Sequence, residues 1–541
     1  MKILLRLAVL LMLFPAAHNF ARAKDAPRII NIINFVRAVE PRDSRITEDV
    51  LYDTVVEQAE LMEQYGMTGT FLLQYDALVM PRYQSLMKEL MSKGFEVGGW
   101  WEITQPHVED AGMDWRGRYP WDWHADVGFA TGYDPEEREK LGDVYMEKFH
   151  SIFGIYPSSV GSWFIDAHTL EYMYDKYGIT ASCNCKDQVG TDGYTLWGGY
   201  WNQAYYPSRL NAYMPAQTEE GQIPVPVFRM LGSDPVYQYD TGLGGTIQGV
   251  ITLEPVYPDA GGSETWVRRF LDAICSAPCI GFNYTQAGQE NSFTWDAMGE
   301  ALRMQFPILD SLRRSGVRIE TLAESGKWFK EQYNLTPPTS VTVLEDTFGN
   351  GNKTVWFDSR FYRANLLWND EGIFFRDIHL FDEHVRSDYV DSRGTSNQCV
   401  YGTCPIMDGF RWSTPEDRAS VQFLIKENGE AVAFIPDRSS VRAVRDREMQ
   451  VDFVSDGSRF KVVMSESGMT ISSNLPDTEW YLVMSAAGSK GLPLSVSTDG
   501  KFLGAEKNGI GYGIRLKSGL FETDGEKIMF VPGKGKIEIE C

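Results

Sequence analysis

The chain has 541 residues, 43% of them hydrophobic and 23% charged, and its 74 acidic against 51 basic residues give a formal charge of −23. That length exceeds one ordinary core, so two domains are expected, and an aromatic content of 13%, with 15 Trp, excludes a mainly disordered chain. So negative a surface repels phosphate backbones and excludes nucleic acid as a partner.

Met1–Ala23 carries Lys2 and Arg6, an apolar run from Leu7 to Ala17, and the small-residue site Ala21-Arg22-Ala23. These are the three parts of a secretory signal peptide, and the run is shorter than the roughly 20 apolar residues of a membrane span. With no Cys at the cleavage point, the expectation is an exported, periplasmic or extracellular protein with no lipid anchor and no membrane span.

From about Arg28 to Leu335, short apolar runs alternate with amphipathic segments. Strands are expected at Ile29–Val39, Thr68–Tyr75, Glu96–Ile103, Ser159–Ile165, Ile179–Cys185, Val225–Leu231, Ile251–Val256, Cys279–Thr285 and Arg318–Leu322. Helices are expected at Asp49–Tyr65, Tyr83–Lys93, Glu136–Phe153 and His168–Tyr177. Such alternation predicts parallel βα units whose strands are covered on both faces. Thr336-Pro337-Pro338-Thr339 then interrupts the pattern, and Asn428-Gly429, Asp456-Gly457, Asp499-Gly500, Asn508-Gly509 and Asp524-Gly525 mark hairpins between alternating strands. The fold class is therefore α/β: a deformed barrel of seven or eight β/α units over 24–339, followed by a C-terminal antiparallel β-sandwich over 340–541. Cys399 and Cys404 lie close enough to close a small disulfide ring, whereas Cys183 and Cys185, two apart on a strand, face the same way and do not suit one.

The segment Ala59–Leu72, a helix followed by Gly66-Met67-Thr68-Gly69-Thr70-Phe71-Leu72, leads through a second helix to Gly94-Phe95-Glu96-Val97-Gly98-Gly99. It resembles the polysaccharide deacetylases, in which a helix, GxxATFF, another helix and GHEIGNH follow in that order. Tyr156-Pro157 through Gly161–Asp166 and the helix to Tyr177-Gly178-Ile179 is similar to that family's RPPYG strand and following LGY, and Arg314–Phe329 to its closing strand and helix. The resemblance runs in patches from Ala59 to Phe329, about half the chain. It implies the deformed barrel shared by carbohydrate deacetylases and some glycoside hydrolases with appended β domains. The family's metal is held by an Asp pair on the first strand and two His after the third. Here the first strand reads Asn34-Phe35-Val36-Arg37-Ala38-Val39-Glu40, and the third ends in Trp100-Trp101-Glu102 with no His until His107. With ligands missing at the matched positions, neither a metal nor another cofactor is expected.

Parallel barrels carry their sites at the C-terminal strand ends. The polar residues expected there are Arg37, Glu40, Asp76, Glu102, Asp166, Asn184, Asp187, Asp234, Glu254, Gln286 and Glu290. Eight carboxylates on one rim suit glycoside hydrolysis by a carboxylate pair, although a rim is also simply where acids are solvated. Glu102, behind the apolar wall of Trp100 and Trp101, is the expected general acid, with a helix cap as its bland alternative. Asp166, after Trp163, is the expected nucleophile or base, with helix N-cap as the competing role. Glu40, His124 and Asp126 complete the catalytic candidates.

The loop Asp114–Asp126 offers Trp121 and Trp123 as flat faces for sugar rings and Arg118 as a grip for a carboxylate or sulfate; the alternative is a packed lid. A second aromatic loop, Tyr194–Tyr213, adds Trp201 and Arg209. Eight of the 15 Trp fall between residues 100 and 201, which favours a carbohydrate platform, and Trp100, Trp101, Trp163, Arg37, Asn184, Asp187 and Glu290 join the expected substrate-binding set. No G-x-S-x-G elbow, P-loop or H-E-x-x-H is present. The expected activity is exported glycoside hydrolysis on oligo- or polysaccharides, without a metal; the alternatives are a metal-dependent carbohydrate deacetylase with relocated ligands and a non-catalytic glycan-binding protein. The sequence sets no oligomeric state.

Overall fold

The computed structural model describes residues 26–541 apart from 244, 446, 489 and 490, so the expected signal peptide, Met1–Ala23, lies outside the described residues. The barrel strands are β1 (Arg28–Val36), β2 (Thr70–Leu73), β3 (Glu96–Trp100), β4 (Ser159–Gly161), β5 (Ala181–Asn184), β6 (Val227–Arg229), β7 (Asn283–Ala287) and β8 (Arg318–Glu320). The order β7-β1-β2-β3-β4-β5-β6 is parallel throughout. β1 serves two neighbours on its other side, β8 along Ile29–Asn31 and β2 along Ile33–Val36. A side chain spans the gap between β6 and β7, the Leu231 N–H donating to Gln286 Oε1 at 2.7 Å.

Alternation along the strands sorts their side chains. Ile29, Ile33 and Phe35 of β1 join Leu72, Trp100, Cys183, Phe228 and Tyr284 in the barrel interior. Ile30, Ile32 and Val36 face outward to the helices with Val55, Met62 and Leu302. The covering helices are α1 (Glu48–Gln64), α2 (Pro81–Ser92), α3 (Pro135–Phe153), α4 (Ala167–Tyr177), α5 (Glu264–Cys275), α6 (Trp295–Arg314) and α7 (Leu322–Gln332). Their starts follow from local chemistry: Thr47 caps α1, and Asp134/Glu137 and Thr321/Glu324 close capping boxes on α3 and α7. No helix among the described residues is long and apolar enough to cross a membrane.

The expected strand at Ile251–Val256 does not form; only a single bridge joins Ser233 to Thr252. Pro255 has no N–H for a ladder, and the Ile251 N–H is taken by Gln238 Oε1. The segment instead turns Glu254 toward the barrel mouth.

From Thr339 the chain builds two antiparallel sheets, of ten and eight strands. They enclose a core in which Phe460 of one sheet meets Phe423 and Trp480 of the other at 5.7 and 5.3 Å between ring centres. The Asn-Gly and Asp-Gly pairs sit at hairpins as expected, Asn428, Asp456 and Asn508 at φ of 51°, 43° and 51°. That left-handed region is what a type I′ turn demands of its first residue.

The sandwich also reaches back onto the barrel. Cys399–Tyr401 adds in parallel to Tyr194–Leu196, and the Ala125 N–H donates to Asn397 O. Cys404 belongs to another strand, Cys404–Asp408, paired with Gly372–Leu380 inside the sandwich. The small disulfide ring is thus not formed: each Cys follows the strand that holds it, and all seven cysteines are unbonded.

Candidate active site

The inward parity of the strands continues one step past their ends. Phe35 is followed two residues on by Arg37, Leu72 by Gln74, and Trp100 by Glu102, so these three polar side chains meet on the barrel axis at the C-terminal mouth. Arg37 makes a two-pronged pair with Glu102, Nε to Oε2 at 3.0 Å and Nη2 to Oε1 at 2.8 Å, and Gln74 Nε2 donates to Glu102 Oε2 at 2.8 Å. The remaining guanidinium nitrogen, Nη1, lies 3.0 Å from Glu290 Oε2 in the loop after β7. Ser292 Oγ donates to the other Glu290 oxygen at 2.7 Å. Asn291 fixes the Arg37 backbone, accepting from its N–H at 2.9 Å and donating to its carbonyl at 2.8 Å.

This group is covered. Trp121 lies flat over the Arg37 guanidinium at 4.1 Å, and Arg42, gripped by Glu40, stacks on the same ring at 4.9 Å. Arg37 is 2% exposed, Glu102 1%, Trp121 2% and Glu290 4%. The 114–126 loop is therefore a lid, laced to the end of β3 by a Thr104–Trp121 bridge and the Gln105 N–H donating to Pro120 O.

The electrostatics follow from burial and pairing. Burial opposes the charge of Arg37, but Glu102 and Glu290 outweigh it and hold the guanidinium above its ordinary value. Burial raises the carboxyl of Glu290, with Arg37 acting against it, and likewise raises Glu254, with Thr252 and Gln289 acting against it. Asp76 is pushed up to about 7 by burial despite the N–H groups of Ala77 and Ala38. Glu40 moves the other way: burial would raise it, but Arg42 outweighs this and lowers it.

Of the expected residues, Arg37, Glu102, Glu290 and Trp121 come together, with Glu40 and half-buried Trp123 at their border. Trp123 stacks on exposed Tyr119 at 5.8 Å, and Arg118 caps this stack while pairing with Asp122. His124 lies beside Trp123, and buried Asp126 Oδ1 has no hydrogen-bond partner. Trp163 is half-buried, edge-on to Trp100 at 5.2 Å, while Trp100 and Trp101 are fully buried.

Asp166 stands apart. Its Oδ1 caps α4 through Thr169 N and pairs with fully buried Arg138 at 2.9 Å, and its Oδ2 accepts from Thr169 Oγ1. Both of its oxygens are engaged by the fold, so the N-cap alternative describes this residue. Asn184 bonds Tyr205 and Arg229, and Asp187 receives Arg229 and Arg363, the latter from the sandwich. Burial would raise Asp187, but the two arginines outweigh it and hold it low. Trp201 stacks on Trp356 of the sandwich at 3.9 Å and 6°, and Arg209 pairs with Glu171 on α4. These four belong to packing and domain contact. Sequence reading missed Gln74, Arg42 and Ser292; strand parity from Leu72 would have found Gln74.

The resemblance to the deacetylases implies a metal, and the residues present do not fit one. Among the described residues no three His, Cys, Asp or Glu side chains converge on a point. Asn34 is committed to Gln58 and the Gln289 N–H, and Glu102 and Glu290 are already bridged by a guanidinium.

No family model matches this sequence, and no curated protein does. Among solved structures, the chain is similar to a "putative glycoside hydrolase/deacetylase" from Parabacteroides distasonis, at 17% identity and a TM-score of 0.53, over 74% of this chain and 90% of that one. A "putative polysaccharide deacetylase" from Mycobacterium smegmatis aligns at 14% identity and a TM-score of 0.36, over 58% of this chain and 93% of that one. The Parabacteroides likeness and the nearly closed parallel sheet together show a deacetylase-like (β/α) barrel joined to a β-sandwich.

Proposed function

We propose that this protein is a carbohydrate-acting hydrolase that cleaves glycosidic bonds at the barrel mouth with Glu290 and Glu102, without a metal. The observation that carries the reading is the single guanidinium of Arg37 bridging two glutamates under a tryptophan lid. Bridged in this way, their facing oxygens can be no more than about 8 Å apart, short of the roughly 9.5 Å upper limit of glycosidase carboxylate pairs. Glu290, raised by burial, is the acid: it gives its proton to the departing glycosidic oxygen. Glu102, aligned by Arg37 and Gln74, takes the proton of the attacking water or attacks the sugar carbon itself. Glu290 thus replaces Asp166 as the partner of Glu102. Trp123 and Trp163, half-buried at the mouth, offer the apolar faces for sugar rings, and the lid lifts to admit them. The signal-peptide pattern expected at Met1–Ala23 supports an exported location for this activity.

Purified protein is assayed on a polysaccharide panel for new reducing ends and for released acetate. Glu102→Gln and Glu290→Gln are each expected to lower reducing-end release by at least about a hundredfold. Full activity in both variants would overturn the reading. Acetate released without new reducing ends would move it to deacylation, an activity that the Parabacteroides protein's name carries beside glycoside hydrolysis.

A further inference from the structure

Lys186 follows β5 and is 1% exposed. Its ammonium makes one weak contact, donating to the Asp187 carbonyl at 3.4 Å, and no ion pair among the described residues. The Asp187 carboxylate points away, to Arg229, Arg363 and the Gly198 N–H. Of the other charged groups near it, Arg229 is held by Asp187 and Asn184, and Glu254 lies beyond ion-pair range, with its oxygens taken by Thr252 Oγ1 at 2.6 Å and Gln289 Nε2 at 3.0 Å. Gln289 precedes Glu290, so Glu254 borders the Arg37 bridge, and Lys186 lies near enough to Glu254 to feel its charge. An ammonium buried without a counter-ion is costly, and an apolar side chain of the same length would pack as well. Other polar atoms at this mouth are unpartnered too: Gln74 Oε1, Trp121 Nε1 and Trp100 Nε1. Unsatisfied buried polar groups call for an explanation, and a bound group at the mouth would supply one.

We infer that Lys186 is the anchor for an anionic group on the sugar, a uronate carboxylate or a sulfate ester, so that the substrates are acidic glycans. The inference rests on the mouth being the carbohydrate site, as proposed above. The anion supplies the missing counter-ion, while Gln74 and the indole N–H groups meet sugar hydroxyls. Burial, helped by the nearby Arg229 charge, also lowers the lysine below its ordinary value, against the pull of Cys185, Glu254 and Asp187, and a bound anion would oppose that shift.

The test measures binding, so it stands whether or not the protein cleaves. Calorimetric titration compares oligouronates with their carboxyl-reduced forms, and sulfated oligosaccharides with their desulfated forms, on wild type and Lys186→Met. The charged member of one pair is expected to bind wild type at least tenfold tighter than its neutral control, and Lys186→Met to erase that difference. Ligand-free Lys186→Met is expected to melt no lower than wild type, because an unpaired buried charge has gone. Preference retained in Lys186→Met, no preference in wild type, or a marked fall in its melting temperature would each overturn the inference. Lys186-dependent binding without product would overturn the hydrolase reading and leave this one standing.

Discussion

Replacing Arg37 by Met isolates the central feature of the mouth. Met matches the length of the arginine stem but removes the charge that Glu102 and Glu290 share. Both carboxylates remain buried, at 1% and 4% exposure, one held only by Gln74 and the other by Ser292. Removing one partner of a buried ion pair typically costs about 3–5 kcal/mol, because the survivor is left uncompensated. At roughly 2 °C per kcal/mol for a large domain, the melting temperature should fall by about 6–10 °C at pH 8. The sign of the pH dependence follows from Glu290. Burial raises its folded value and Arg37 restrains the rise, so without Arg37 it climbs further. A carboxyl whose folded value is raised stabilises the fold fully at low pH and loses that stability as pH rises through the folded value. The deficit of Arg37→Met should therefore be largest at pH 8 and shrink toward pH 5. Calorimetric melts of both proteins at the two pH values check this. Melting within 2 °C of wild type at pH 8, or a deficit that grows on acidification, would refute the idea that the guanidinium holds these carboxylates.

Asp166→Ala should lower the melting temperature by a similar amount, since it strands buried Arg138 and removes the cap of α4, yet leave the rate per folded molecule within about twofold; melting paired with kinetics separates it from Glu290→Gln, which should do the reverse. Trp201→Ala should cost about 3–5 kcal/mol through its lost stack on Trp356, visible in thermal melts, with glycan affinity unchanged by titration. Burial would lower His379, but Asp377 and Asp408 outweigh it and raise it. Wild-type stability should thus be full below the ordinary histidine range and decline as pH rises through the folded value, and His379→Asn should flatten that decline in melts from pH 6 to 9.

Much of the fold was legible because local rules and global packing agree. The apolar runs of β1 to β6, the caps of α1, α3 and α7, and the Asn-Gly and Asp-Gly hairpins each carry their own signal. Ile251–Val256 failed because hydrophobicity alone does not reveal a proline that cannot join a ladder or a glutamine that intercepts a strand N–H. At the site, Arg37, Glu102 and Glu290 were reachable from the rule that barrel mouths collect function. Their mutual pairing was not, because it joins residues 65 and 253 positions apart under a lid whose path has no local signature. Asp166 shows the converse. A carboxylate at a strand end and before a helix reads equally as catalyst and cap, and only buried Arg138, on another helix, decides between them.

The tryptophans expose the weakest step in reasoning from composition. Their crowding between residues 100 and 201 suggested an exposed platform, yet Trp100, Trp101, Trp121, Trp197 and Trp201 are all buried. Trp201 meets Trp356, and Trp197 packs on Phe410 and donates from Nε1 to Asp408 Oδ2, so both face the sandwich rather than solvent. The loops after β3 and β5 must cover a mouth crowded with charge and also join a second domain that carries its own buried ions, Arg363, Asp377 and His379. An indole suits both duties: it supplies a large apolar face to a guanidinium and a single N–H to a carboxylate. The same property that makes tryptophan a sugar platform makes it the natural cover for a buried ion cluster. Exposure therefore separates the two roles here: of the eight crowded tryptophans only Trp115, Trp123 and Trp163 are half-buried, and Trp123 and Trp163 are the two that the proposed function uses.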